Sequence, residues 1–303
     1  MLASRLDSSY KYRPTGPQAS KLVVHDWEKD TVYLIQLPRA GVIPSLSPHC
    51  LKLETWLRFA GIPYQNVSNE FKHTSARGQV PFIELNGRQI ADATVAIEEL
   101  TKIFHIQSET DFDAEDQSKM CAYQSMIDNG LLWTYFYYLS INNNHEATPD
   151  GVIDHFTGFR KFLYKNWNVG QHRRRIKSKC MAQGIGRFAP YEVEKIAKKE
   201  LSALSVLLGK KNFLMGKTPT ALDASAFATL CQFYYLPLNK DIKNYIDENN
   251  QNLVDFIRRI RDLYWSDWSE CTSKLSLKTK PKPRMASDSS EELANDGHPT
   301  EPE

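Results

Sequence analysis

Every strand signal in this 303-residue chain lies before Asp113, and the long remainder carries only helical spacing. Such a chain sets a small sheet unit in front of an all-helical unit, because strands and helices bury their apolar faces in different layer arrangements. The first run, Thr31-Val-Tyr-Leu-Ile-Gln-Leu37, is β-branched and aromatic, has strand length and is closed by Pro38. Ser47-Pro48 then opens a helix: the serine oxygen can accept from an otherwise unpaired first-turn amide, and proline has no amide to leave unpaired. Leu51, Leu53, Trp56 and Leu57 give that helix an apolar face, and Gly61 with Pro63 ends it. A short strand at 64–67 precedes two further runs, 80–85 and 88–91. Asn86-Gly87 joins them, and this dipeptide marks a tight hairpin because both residues tolerate positive φ. A helix at 94–104 completes the unit. Beyond it the spacing predicts helices over 115–141, 151–168, 190–208, 221–236, 241–249 and 251–264. Thr220 and Asp223, three residues apart ahead of an apolar run, form the pattern of a structural helix cap.

The 38 Lys and Arg nearly balance 36 Asp and Glu, so the net charge of +2 gives no overall pull toward nucleic acid. No apolar stretch approaches the roughly 20 residues of a spanning helix, and Met1 to Tyr12 lacks the apolar core of a secretory signal. The expected location is cytoplasmic. Five cysteines, at 50, 121, 180, 231 and 271, are scattered and include no CxxC pair, so neither a disulfide framework nor a metal site is expected. Residues 1–28 lack periodicity and are expected to be a flexible tail. Residues 272–303 run from basic to acidic with four prolines and few large apolar residues, and are expected to be a disordered charged tail. Between them lie two expected domains, 29–107 and 108–271.

The order of the first domain, the proline directly before the hairpin in Val80-Pro81-Phe82, and the helix opened by Ser47-Pro48-His49-Cys50 resemble the thioredoxin-like domain of glutathione transferases. Leu201 to Gly216 followed by Thr220 to Asp223 is similar to the transferase helical domain. More specifically, Pro44 to Tyr64 and Lys195 to Leu230 resemble the failed axon connections family, related to the metaxins and to cadmium-responsive nematode proteins. The resemblance covers about residues 31–268. It implies an α/β plus all-α architecture: a thioredoxin-like N-terminal domain followed by a glutathione transferase-like helical C-terminal domain. It also implies a role in axon development, and a fold that is better defined than any chemistry.

Carried over residue by residue, the resemblance puts Ser47 and Cys50 at the catalytic positions of the first helical turn, where a hydroxyl or thiol can meet a glutathione sulfur. The competing structural roles are a helix cap for Ser47 and an inert packed thiol for Cys50. His49 is expected to be solvated. Val80 and Pro81 fall at the site where the cysteinyl backbone of glutathione pairs. Thr94 keeps the hydroxyl that would hold the glutamyl end, whereas Ala93 stands where an acid or amide is needed, and Asp92 is free to cap the helix. The expectation is a binding protein with little or no catalysis, no required cofactor, and glutathione admissible as a ligand. Two other functions stay open: a glutathione-dependent transferase using Ser47, and a metaxin-like role in mitochondrial protein import. The expected partners are a protein of unknown identity, glutathione or a hydrophobic small molecule in the interdomain cleft, and a second copy of the chain. Arg173 to Lys179 reads as a solvated helix face or interdomain loop, and Trp133 to Tyr138 as a buried helix or a cleft wall.

Overall fold

The computed structural model of the protein describes residues 22–107, 112–142 and 144–279. Expectations for 1–21, 108–111 and 280–303 fall outside the described residues. Strands β1 (Val32–Gln36), β2 (Tyr64–Ser68), β3 (Phe82–Leu85) and β4 (Arg88–Ala91) form one sheet in the order β2-β1-β3-β4. The β1–β2 pair is parallel, and β1–β3 and β3–β4 are antiparallel. Asn86 and Gly87 turn the hairpin with φ of 50° and 73°, the two positive values that the dipeptide predicts. The Val80–Pro81 peptide bond is cis. Helix α1 (Pro48–Phe59) makes the parallel crossover, and α2 (Ala93–Phe104) follows the hairpin.

The helical half comprises α3 (Ala114–Met126), a π-helical turn at Ile127–Leu131, α4 (Leu132–Ile141), α5 (Gly158–Leu163), a second π-helical turn at Tyr164–Asn168, α6 (Val169–Gln183), α7 (Pro190–Leu208), α8 (Ala221–Tyr235), α9 (Lys240–Asn249), α10 (Gln251–Tyr264) and α11 (Trp268–Lys274). Buried along most of its length, α8 packs along α1 and joins the two halves. Ala224, Ala226 and Ala228 keep its surface thin enough for close approach. At its start the Asp223 carboxylate accepts from the Thr220 amide at 2.9 Å, the Thr220 hydroxyl at 2.8 Å and the Leu214 amide at 2.7 Å. The cap thus also pins the preceding loop. Burial pushes the Asp223 carboxyl up to about 6, although these three donors pull it down.

Both expected tails extend too far into the chain. Val23 and Val24 donate their amides to the Glu84 carboxylate at 2.9 and 3.0 Å and pack near Tyr33, Ile35 and Phe82. Residues 22–28 are therefore docked on the sheet rather than part of a flexible tail, because the buried Glu84 on β3 needs donors. At the other end α11 runs through the expected boundary at 272, and the Thr279 hydroxyl lies 2.9 Å from the Cys271 thiol. The expected helix over 151–168 starts only at Gly158, after a separate 3-10 turn at Ile153–His155, and continues through the π-helical turn into α6, where Arg173, Arg174, Arg175, Lys177 and Lys179 are exposed as the solvated-helix-face alternative requires.

A buried ionic network ties α1 to α11. The Glu54 carboxylate takes two bonds from Arg39, at 2.6 and 2.7 Å, and one from Arg58 at 3.1 Å. Arg58 also grips Asp267 at 2.6 and 3.1 Å and stacks 3.5 Å over the Trp265 ring. Gln36, Tyr64 and Asn66 complete the shell of Glu54 at 2.7, 3.0 and 3.0 Å. Burial alone would raise the Glu54 carboxyl, but the Arg39 and Arg58 charges and their hydrogen bonds hold it well below the usual carboxylate range.

Candidate ligand cleft

A cleft of about 730 Å³ opens between the sheet unit and the helical half. Ser47, His49 and Val80 lie on one wall, with Trp133, Phe136 and Tyr164 opposite. The aromatic run thus serves both roles weighed for it. Its helical spacing sends Trp133 and Phe136 to the cleft while Tyr135, Tyr137 and Tyr138 are buried.

Ser47 is the N-cap of α1, where its hydroxyl oxygen accepts from the Cys50 amide at 3.3 Å. That bond uses a lone pair, so the hydroxyl keeps a proton to donate, and the Cys50 sulfur is one acceptor in contact with it. Cys50 does not line the cleft. It is fully buried, and burial pushes its thiol up to about 11 despite contact with Ser47. A thiolate nucleophile at this position is disfavoured, because the apolar interior opposes the charged form more than the helix N-terminus favours it. His49 is not solvated. It is half-buried in the cleft wall, 6.2 Å from the Phe136 ring, where burial and the Lys52 charge pull its imidazole below the usual value.

The expected glutamyl position of Thr94 is already engaged. Lys52, on α1 and 4% exposed, donates to the Thr94 hydroxyl at 3.0 Å and reaches Asp128 at 3.3 Å. Asp92 caps α2 by accepting from the Thr94 and Val95 amides at 2.9 and 3.3 Å, and Ala93 is buried. Neither Thr94 nor Asp92 faces the cleft. Of the expected site residues, Ser47 and Val80 share the cleft, Pro81 is buried behind it, and Cys50 and Thr94 lie elsewhere.

Sequence reasoning missed the opposite rim, where His172, Arg175 and Lys179 of α6 line the cleft. The imidazole of His172 meets the buried Glu146 carboxylate at 2.9 Å. The spacing of 172, 175 and 179 on one helix face was the available signal. Among the described residues no group of three or more His, Cys, Asp or Glu could hold a metal.

The glutathione S-transferase N-terminal domain model matches residues 48–147, and the C-terminal domain model matches 197–260. Failed axon connections of Drosophila melanogaster is 36% identical over 289 residues, covering 88% of this chain and 67% of that protein. Metaxin-2 of Mus musculus is 24% identical over 250 residues, covering 80% and 92%. An isoprene-epoxide glutathione S-transferase from a Rhodococcus species is 26% identical over 239 residues, covering 73% and 94%. Among solved structures, a glutathione S-transferase of Ceriporiopsis subvermispora in complex with glutathione superposes with a TM-score of 0.53 at 11% identity, covering 77% of this chain and 97% of its own. The superposition agrees with the fold, and the long match to the Drosophila protein fixes the lineage: the chain belongs to the failed axon connections family and carries the glutathione transferase fold.

Proposed function

We propose that the protein is a binding protein on a transferase scaffold, holding a small molecule with an apolar body and an anionic end in the cleft. The observation that carries this is that Thr94, the one hydroxyl retained at the glutamyl position, does not line the cleft and instead accepts from Lys52 at 3.0 Å. Aromatic walls suit the apolar body, and Arg175 with Lys179 suits the anionic end. The name of the Drosophila relative motivates a role in axon development, exercised through a protein partner. A second reading, glutathione conjugation, is favoured by Ser47 and Val80 sharing the cleft wall. Conjugation requires Ser47 to donate its proton to the thiolate.

Calorimetry with glutathione, together with a conjugation assay on a standard electrophile, separates the two. Loss of one charge-assisted contact weakens binding by roughly tenfold or more, so wild-type affinity is expected in the millimolar range. Conjugation should be negligible, and Thr94→Ala, which changes a side chain that does not line the cleft, should leave glutathione affinity unchanged. Robust wild-type turnover that Ser47→Ala abolishes would establish the enzyme instead.

A further inference from the structure

Between Asp154 and Glu192 the chain contains no acid, but five Arg and four Lys. Because the whole chain is only +2, the remainder is net negative and this segment is a strongly segregated positive region. It folds as α5, the π-helical turn and α6, one continuous helical run with its nine cations exposed on or just beyond it. Among the described residues only Lys161 of these cations forms an ion pair, with Asp154 at 3.0 Å. The same run exposes large apolar side chains. Phe159 is 73% exposed, Phe162 61% and Trp167 64%, with Leu163 beside them at 42%. The Phe159 and Phe162 rings stack 6.3 Å apart at 17°, so they form a local apolar knob rather than isolated surface residues. Trp167, on the π-helical turn that follows, lines the cleft and is not part of that knob.

We propose that this run docks the protein on an anionic lipid bilayer. Phe159, Phe162 and Leu163 enter the headgroup boundary, and Arg160, Lys161, Lys165, Arg173, Arg174 and Lys177, which lie outside the cleft lining, engage lipid phosphates and carboxylates. A helix with aromatic and aliphatic side chains amid Lys and Arg is the chemistry of an interfacial helix, whose long cations keep their heads in water while their stems lie along the apolar boundary. Two other occupants fit less well. A second copy meeting the same patch across a two-fold axis would set like charges against like. A single-stranded nucleic acid needs a groove that follows its backbone, and Phe159 and Phe162 lie outside the cleft.

Flotation of the full chain with vesicles tests this. Wild type is expected to float with phosphatidylcholine vesicles containing about 30% phosphatidylserine but not with pure phosphatidylcholine, and to be released by about 0.5 M salt. Arg173→Glu with Arg174→Glu should weaken flotation about tenfold or more. Phe159→Ser with Phe162→Ser should weaken it about as much, with the melting midpoint unchanged. None of these four residues lines the cleft. Absence of flotation on anionic vesicles would overturn the proposal. So would flotation indifferent to the Phe pair, which describes a general polyanion site, or lipid-free dimerisation that the Phe pair abolishes, which describes an interface between copies.

Discussion

Replacing Glu54 by Gln keeps the shape of the side chain and removes the charge at the centre of the α1–α11 network. Arg39 is fully buried and both of its carboxylate bonds go to Glu54, so the variant leaves a guanidinium in the interior with no counter-ion. Arg58 suffers less, because Asp267 still holds it with two bonds. Summing every bond to Glu54 would double count, since the amide replaces some of them. The appropriate scale is that of one uncompensated buried charge, about 3–5 kcal/mol. At roughly 2–4 °C per kcal/mol for a chain of 150–250 residues, the melting midpoint at neutral pH should fall by about 6–20 °C. The pH dependence adds a second, signed test. The folded-state carboxyl of Glu54 lies well below its unfolded value, so its contribution is fully present above the unfolded value of about 4.3 and is lost as pH falls from there toward the folded value. Wild type should therefore lose stability faster than Glu54→Gln below about pH 4.3, and the two midpoints should converge in acid. Calorimetric or circular-dichroism melts from neutral pH into acid read both quantities. A fall smaller than about 3 °C at pH 7, or parallel acid profiles for the two proteins, would refute the assignment of Glu54 as the stabilising centre.

At the start of α8, Thr220→Ala removes one donor to Asp223 and should cost about 1 kcal/mol, whereas Asp223→Ala strands the Leu214 and Thr220 amides and should cost about 3 kcal/mol. Equal losses in denaturant melts would show that the loop, not the carboxylate, holds the helix start. Among the thiols, exposed Cys121 should be alkylated first in the native protein, and buried Cys50 and Cys231 only on unfolding. Mass spectrometry of partially labelled protein reads the order directly, and labelling of Cys50 at the rate of Cys121 would restore it as a candidate nucleophile.

The parts of the fold legible in the sequence were those written in local chemistry. The Ser47-Pro48 helix start, the Asn86-Gly87 turn and the Thr220–Asp223 cap each satisfy backbone groups within a few residues, and each is found as predicted. Helix α6 was obscured because only Val169, Ile176 and Cys180 are buried along it, a stripe too thin to stand out in a basic segment. The docking of Val23 and Val24 was invisible for another reason: their partner, Glu84, lies 61 and 60 residues away. Similarly, Glu54 and Arg58 have the four-residue spacing of a surface pair, and nothing local shows that Arg39 and Asp267 bury them.

The candidate site shows the same limit in functional terms. Residue-by-residue comparison credits Thr94 with a binding hydroxyl and marks Ala93 as the deficiency, so it describes a site half present. In the folded chain the retained hydroxyl does not line the cleft, and Lys52 reaches its oxygen from α1. Residue type persists at that position while the side chain lies away from the cleft. Ser47 is the converse case: its oxygen caps α1, yet it lies on the cleft wall and keeps a proton to donate. Whether a transferase scaffold binds glutathione or another anion therefore turns on which polar atoms its own fold leaves facing the cleft, and affinity that Ser47→Ala lowers while Thr94→Ala does not is the result that distinguishes the two positions.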